Sequence, residues 1–197
     1  RSPERIAVDG VLPFLVEQSR ARNNLRAWVK SLWFAPNEFL RQGVEGTFQG
    51  VYLPFFTFDT LTFTVYSGQR GDHYTVVVGS GKDQRTERRT RWTPAAGKFQ
   101  RFFDDTLVLA ATGLNRDLMR SLEPWPLGKI RAFNESYLSG FAARTYDVEL
   151  PACFEEARAR IEAAIEQQVR SEIGGDTQSI DSLRVSWSAV TCKHILL

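Results

Sequence analysis

The sequence predicts an α+β fold, with a mainly antiparallel, twisted sheet of long strands and hairpins packed by two amphipathic helices. Within the stretch Tyr52 to Tyr74, residues alternate between two faces from Thr60 to Tyr66, which is the period of a β-strand. Helical stripes occur in two well-separated stretches, 18–33 and 151–173, and the predicted strands gather between them. This order lacks the strand–helix alternation of a parallel sheet, so α+β is the class that fits.

The stretch from Tyr52 to Tyr74 is predicted to be the central strand, ending in a glycine-rich bend. One face is apolar and consists of Leu61, Phe63 and Val65. The other face is rich in threonine and consists of Thr60, Thr62, Thr64 and Tyr66. Because successive side chains of a strand point to opposite faces, we expect the apolar parity to be buried.

Ahead of this strand, residues 11–16 (VLPFLV) predict a short edge strand, because Pro13 lacks a backbone donor. A helix is predicted from Gln18 to Trp33, ended by Pro36, with one further turn over 37–42. Its core-facing stripe is Ala21, Leu25, Trp28, Val29 and Leu32. We interpret the opposite, basic face as solvated, and a face for nucleic acid or a membrane surface is the alternative.

The middle of the chain predicts shorter elements. They are a hairpin of 74–78 and 84–92 around Gly79-Ser80-Gly81, a strand pair or bent strand over 99–111 interrupted at Asp104-Asp105, a short helix over 114–122, and a strand over 141–150.

The end of the chain predicts a long helix and a long strand. The helix runs from Pro151 to Ile173 and is ended by Gly174-Gly175. The strand covers 180–197, and beyond Val190 its apolar residues occupy both parities, which predicts a bulge or a doubly buried end. We expect this end to lie against the helix and to support weak self-association through residues 190–197.

Length and composition favour a single domain over residues 1–197, with a subdivision near 112–140 as the alternative. A net charge of +2 predicts no particular partner. Cys153 and Cys192 are compatible with one disulfide or with a reducing compartment. Two cysteines and two histidines, widely scattered, predict no metal and no cofactor. No apolar run is long enough to cross a bilayer, so we expect a cytoplasmic chain.

A set of motifs spread from Val11 to Leu197 carries a family resemblance. They are YLPFFTFD, YSGQRGDHY, RWTPAAG, FFDDTLVLA, LEPW, SGFAARTYDVEL with FEEAR, IGGD and KHILL. Together they resemble a bacterial family often named primosomal protein N′-like or zinc-ribbon proteins. The resemblance implies a zinc ribbon ahead of this domain, a strand pair after KHILL and, in many members, a hydrophobic tail that would associate the full-length protein with a membrane. It therefore implies that the chain is a fragment, and it supplies no catalytic residues.

The titratable candidates are Asp72, His73, Asp104, Asp105 and His194. Carboxylates and imidazoles that converge can bind a metal or perform acid–base catalysis. The alternative is structural, because such residues also suit a polar strand turn and a bend between strands.

A second candidate is the basic hairpin 82–101, which holds seven basic residues and two acidic ones. Its nucleic-acid-binding candidates are Arg85, Arg88, Arg89, Arg91 and Trp92, since arginines neutralise phosphates and an indole stacks on bases. The alternative is a charged edge that prevents sheet-to-sheet aggregation.

These observations lead to three functional hypotheses. The first is a non-catalytic interaction or scaffold module that binds the protein's own missing N- and C-terminal segments or a protein partner. The second is a replication-related, nucleic-acid-binding accessory domain that uses the hairpin 82–101. The third is a metal- or carboxylate-dependent enzyme.

Overall fold

The computed structural model describes residues 5–31 and 49–197, apart from the side chain of Lys82. It confirms an α+β fold with a mixed, mostly antiparallel sheet. In chain order the elements are β1 (Gly10–Val11), α1 (Gln18–Ser31), β2 (Val51–Tyr52), β3 (Pro54–Val78), β4 (Arg85–Leu109), α2 (Arg116–Ser121), β5 (Arg131–Ala132), β6 (Ala142–Ala143), α3 (Leu150–Ile173) and β7 (Thr177–Leu196).

The strands form a five-stranded sheet of order β4-β3-β7-β1-β5 and a two-stranded sheet of β2 and β6. β1 is antiparallel to β5 and parallel to β7, and β2 is parallel to β6. The chain divides into two compact units. Unit 1 holds the described residues up to Thr57 together with 107–153 and 193–197, and unit 2 holds 58–106 and 154–192. Residues 112–140 all belong to unit 1, and the single-domain prediction stays a prediction.

Unit 2 is built on helix α3 and its apolar stripe. The buried side chains recur every four residues along one face, in the series Ala157, Ile161, Ile165, Val169 and Ile173. Four of them form one cluster with Tyr66 of β3, against which Leu183 and Val185 of β7 also pack. Gly174 and Gly175 end the helix with φ angles of 68° and 78°, the left-handed conformation that glycine adopts at low cost. The predicted helix, its stripe and its end are confirmed.

The buried face of β3 in unit 2 is the threonine face, and the prediction of an apolar buried face is wrong. Thr62 is fully buried, whereas Phe63 and Val65 are 39% and 55% exposed. Two threonine hydroxyls find backbone acceptors on neighbouring strands: Thr60 Oγ1 donates to the Ser188 carbonyl at 3.1 Å, and Thr62 Oγ1 to the Arg101 carbonyl at 3.0 Å. A buried hydroxyl costs little when it is hydrogen-bonded, so the methyl groups of Thr60 and Thr62 can pack while their hydroxyls are satisfied. The hydroxyl of Thr64, on the same face, has no hydrogen-bond partner among the described residues.

The predicted bend at the glycines of β3 is also absent, because the strand continues through Gly68 and Gly71 to Val78. A Cβ placed on Gly68 would overlap the carbonyl oxygen of Ser179 on β7. Glycine at this position allows the close approach of two strands and makes no turn.

Two strands that flank β3 carry a local irregularity. Asp105 in β4 and Ala189 in β7 have φ angles of 50° and 52°, as residues of β-bulges do. The stretch 99–111 is therefore part of a single strand, irregular at Asp105, and not a strand pair. Of the two alternatives for the end of β7, the doubly buried end is observed, because the consecutive residues Ile195, Leu196 and Leu197 are all buried.

The core of unit 1 covers the end of the chain. Ile195, Leu196 and Leu197 are buried, and Leu197 exchanges two backbone hydrogen bonds with Leu53, at 2.8 and 3.0 Å. They pack in two hydrophobic clusters of unit 1, whose other buried members include Leu12, Phe55, Leu109, Val11 and Tyr52. The clusters that contain this end hold no residue of α3, so among the described residues its cover comes from unit 1 and not from the predicted helix.

Several short elements differ from prediction. The predicted strands 11–16 and 141–150 shrink to the two-residue strands β1 and β6, while α2 lies within the predicted 114–122. In α1, Val29 is buried as predicted, but Trp28, another residue of the predicted stripe, is 54% exposed. The predicted features over 32–42 lie outside the described residues.

Cys153 is buried and Cys192 exposed, and neither of these two described residues is in a disulfide. Among the helices that the structure describes, none has the length and apolarity needed to span a bilayer.

Candidate functional site

Asp104 and Asp105 meet a third carboxylate, Asp59, and the three offer oxygens that all lie within 4.8 Å of one another. Oxygens of this kind are the ligands that Ca²⁺ and Mg²⁺ prefer. Asp59 also contacts both irregular stretches, because its carboxylate accepts from the backbone N–H of Asp105 at 2.9 Å and from the Thr191 hydroxyl at 3.3 Å. Sequence reasoning missed Asp59, although it is the one charged residue between Tyr52 and Gln69.

Asp72 and His73 lie far from this cluster along β3. The backbone N–H of His73 donates to the carboxylate of Asp176 at 2.7 Å, and its ring Nδ1 lies 3.0 Å from Thr90 Oγ1. Asp72 accepts from the Arg70 guanidinium at 2.9 Å. At about 3.3 Å per residue, the stretch of β3 from Asp59 to His73 is roughly 40 Å or more long. The structure does not bring the two predicted pairs together, and His194 belongs to unit 1.

The hairpin of β3 and β4 ends in a basic ribbon, defined as residues 73–78 and 85–91. The turn that precedes β7 contacts β3 at Gly71, where the Gly71 carbonyl accepts from the Asp176 N–H at 2.9 Å. From residue 73 onwards, β3 therefore has β4 as its neighbouring strand. The Arg91 guanidinium lies over the Tyr74 ring, 5.4 Å from its centroid. Glu87 pairs with Arg85 at 2.8 Å and with Arg89 at 3.4 Å, which offsets part of the positive charge.

The remaining candidates of this stretch divide between two places. Arg88 is exposed on the ribbon, and Trp92, at the base of the ribbon, is 47% exposed. Arg101 lies beside α3: its Nη1 donates to the Gln168 side chain at 3.2 Å, and its guanidinium covers the Phe103 ring at 4.5 Å. The stretch 82–101 is therefore not one continuous basic surface.

β7 has an open edge in unit 2. One side of the strand faces β3, and on the other side β1 pairs with it at Ile195 and Leu196 alone. Within the part of the chain that the structure describes, no strand covers that second side over residues 177–190. An edge of this kind presents a row of backbone N–H and C=O groups ready to pair with another strand.

A groove of about 920 Å³ runs beside this edge, between α3 and β7. Its walls are Phe154, Arg158, Ala159, Glu162, Ala163, Glu166, Leu183, Val185 and Trp187. Arg158 forms an ion pair with Glu162 at 3.0 Å, and this carboxylate together with that of Glu155 raises the pKa of the guanidinium. The floor is apolar and half-buried at Leu183, Val185 and Trp187, so the groove offers apolar contacts beside an open strand edge.

His194 lines a cavity of about 300 Å³ in unit 1. Its Nδ1 lies 3.1 Å from the Ile6 carbonyl oxygen, and its backbone N–H donates to Asp9 at 2.8 Å. The ring packs between aromatic neighbours, with centroids 5.2 Å from Phe56 and 5.3 Å from Tyr146. The histidine is thus held in an enclosed, mainly apolar setting, which the sequence did not predict.

Among the residues that the structure describes, fold and sites together define an α+β protein with an open strand edge, a basic ribbon and a small cavity that is partly open to solvent. The chain is similar to the uncharacterised protein YdjG of Bacillus subtilis (strain 168), with 24% identity over 194 residues that cover 95% of this chain and 54% of YdjG. The chain thus spans about half the length of this curated relative. No family model and no solved structure matches it.

Proposed function

We propose that the chain is a non-catalytic interaction and scaffold module of a longer bacterial protein, and that it assembles through the open edge of β7. The observation that carries this proposal is the uncovered backbone of residues 177–190 beside an apolar groove. The occupant that we propose is β7 of a second copy of this chain, paired antiparallel across a two-fold axis.

The sequence of the edge favours pairing. Residues 177–190 contain no proline, and Asp181 and Arg184 are their charged residues. Natural edge strands usually block pairing with prolines, lysines, bulges or inward-pointing charges. Here the irregular residue is Ala189, with a φ of 52°, near the end of the run.

A second β7 has the pattern that this edge requires. Leu183, Val185 and Trp187 repeat every second residue, so an antiparallel copy presents the same apolar series to the same side of the sheet. On the helix side of the groove, Ala159 and Ala163 are small and leave room for a second strand. We therefore propose that self-association uses residues 177–190 instead of 190–197, because the end of β7 is already paired with β1.

The test is the oligomeric state of the chain and of a blocked edge. Sedimentation velocity over a concentration series should show a monomer–dimer equilibrium for the unmodified chain. Val185→Lys places a charge in the groove and should give a monomer, because an inward-pointing lysine blocks edge pairing. Val77→Lys is the matched control, since Val77 is a strand valine that is 62% exposed and lies outside the groove.

Two results would contradict the proposal. One is a chain that stays monomeric at every concentration. The other is a dimer that persists in Val185→Lys while circular dichroism shows an unchanged fold. Ala163→Glu, on the exposed face of α3, provides a second block that leaves the strand itself intact.

Nucleic-acid binding by the basic ribbon is the second candidate function, and the exposed arginines with the Arg91–Tyr74 stack favour it. A two-stranded ribbon has the width of the DNA major groove. Binding of labelled single- and double-stranded DNA should fall steeply as salt rises, since it depends on counterion release. Arg88→Glu with Arg89→Glu should abolish it, and Arg131→Glu in unit 1 is the control. Equal DNA binding by both variants would exclude the ribbon as the binding surface.

Two further points remain proposals. Membership of the primosomal protein N′-like zinc-ribbon family is supported by the motif set, and zinc analysis of a full-length relative tests it. A metal- or carboxylate-dependent enzyme stays in third place, because Asp72 and His73 lie far along β3 from Asp104 and Asp105.

A further inference from the structure

The cavity in unit 1 combines an apolar lining with cationic groups. Apolar walls come from several segments, including Val8, Phe133, Leu138 and Leu196. Its volume of about 300 Å³ lies at the lower end of the range for small-molecule sites. Such a cavity has room for a short hydrocarbon chain or a single ring.

His194 carries a buried polar atom that has no partner among the described residues. The side chain is 4% exposed, and its Nε2 makes no hydrogen bond. Since the carbonyl oxygen of Ile6 can only accept, Nδ1 carries the proton and Nε2 of the neutral ring is a hydrogen-bond acceptor. A buried acceptor without a donor is costly and calls for a ligand or a water molecule.

The charges around the cavity favour an anion. Arg5, Arg144 and His194 belong to the wall, and none of the described wall residues is acidic. Arg144 is already paired with Asp147 at 3.1 Å. Arg5 stacks on the Tyr146 ring, 5.9 Å from its centroid, and within the described part of the chain it has no carboxylate partner. Arg5 is therefore the guanidinium available to a bound acid.

We propose that this cavity binds a small, largely apolar organic acid, with the carboxyl group drawn to Arg5 and His194 and the apolar body against Val8, Phe133 and Leu138. A carboxyl group satisfies Nε2 in either protonation state, because the acid donates to the neutral ring and the carboxylate accepts from the imidazolium. This site is independent of the β7 edge, which lies in unit 2.

Histidine side-chain NMR tests the proposal directly, because the chain contains two histidines. With ¹⁵N-labelled histidine, titration with octanoate below its micellar concentration should move the ring signals of His194 saturably. The ring signals of His73, which lies in unit 2, are the internal control. 1-Octanol is the matched uncharged probe and should bind at least tenfold more weakly, which corresponds to about 1.4 kcal/mol.

Variants locate the binding site. Arg5→Gln should weaken octanoate binding about tenfold and leave octanol binding unchanged, while Arg131→Gln, an exposed arginine on β5, should change neither. Ala143→Leu fills the cavity from its wall and should abolish the His194 shift with both probes.

Each contrary result is decisive. Equal binding of octanoate and octanol would overturn the preference for an acid. Shifts of His73 and His194 in parallel would show non-specific association, and an unmoved His194 at saturating octanoate would overturn the site. Thermal melting of each variant separates these outcomes from loss of the fold.

Discussion

The carboxylate of Asp59 accepts a hydrogen bond from the backbone N–H of Asp105, 2.9 Å away. Asp105 has a φ of 50°, a conformation that costs free energy in a non-glycine residue. The second oxygen of Asp59 accepts from the hydroxyl of Thr191, two residues beyond the irregular Ala189 of β7. One side chain on β3 therefore stabilises irregular backbone in both strands beside it.

Asp59→Ala should lower the free energy of unfolding by about 1–3 kcal/mol, because the N–H of Asp105 loses its acceptor. Equilibrium unfolding in urea measures the change. Asp104→Ala is the control: Asp104 is exposed, so its loss should stay within about 0.5 kcal/mol. Equal losses in the two variants would show that the aspartate cluster, and not the hydrogen bond of Asp59, is what matters.

Gly68→Ala should destabilise unit 2 by about 1–3 kcal/mol, the usual cost of overpacking. Its Cβ would overlap the Ser179 carbonyl oxygen, and a backbone atom cannot move aside as a flexible side chain can. Gly128→Ala is the control, because a Cβ there meets no atom within 4 Å. A Gly68→Ala variant as stable as the control in thermal melting would disprove the close approach of β3 and β7.

Acid should weaken the link between Asp147 and Thr112. The Thr112 N–H and hydroxyl donate to this carboxylate at 2.6 and 2.9 Å, and these bonds, with the charge of Arg144, hold the pKa of Asp147 below its usual range. A carboxyl whose pKa is lower in the folded state stabilises the fold above its unfolded pKa of about 3.9 and loses this contribution as the pH falls through the folded value. Asp147→Asn should therefore have a flatter decline in stability below about pH 4 than the unmodified chain. An identical acid profile for the two proteins would contradict this.

Alkali should weaken the contact between Tyr66 and Glu172. The Tyr66 hydroxyl lies 3.0 Å from the Glu172 carboxylate, and burial first, then this carboxylate, raises the pKa of Tyr66. A group whose pKa is raised in the folded state contributes its full stability below its unfolded pKa of about 10 and loses it as the pH rises through the folded value. Tyr66→Phe should thus be less stable at neutral pH and should decline less above about pH 10. Tyr74→Phe, at an exposed tyrosine, is the control. Urea unfolding at several pH values would refute the prediction if the Tyr66→Phe and unmodified curves stayed parallel.

The sequence alone predicted the features that depend on local pattern. The stripe of α3 and its glycine end, the turn between β3 and β4, and the irregular stretch at Asp104-Asp105 follow from residues close together in the chain. Helical periodicity, glycine at a helix end and turn composition act over a few residues, so the chain itself contains the information. The α+β class follows from the order of these elements.

Only the tertiary structure decided which face of β3 is buried, where Asp72 and His73 lie relative to Asp104, and which side of β7 stays open. The hydroxyls of Thr60 and Thr62 are acceptable in the core because acceptors at Ser188 and Arg101, distant in sequence, reach them. The cavity around His194 likewise needs segments as distant as Ile6 and Tyr146. Such properties depend on which backbone and side-chain atoms meet across long sequence separations, and hydropathy and spacing along one strand do not contain that information.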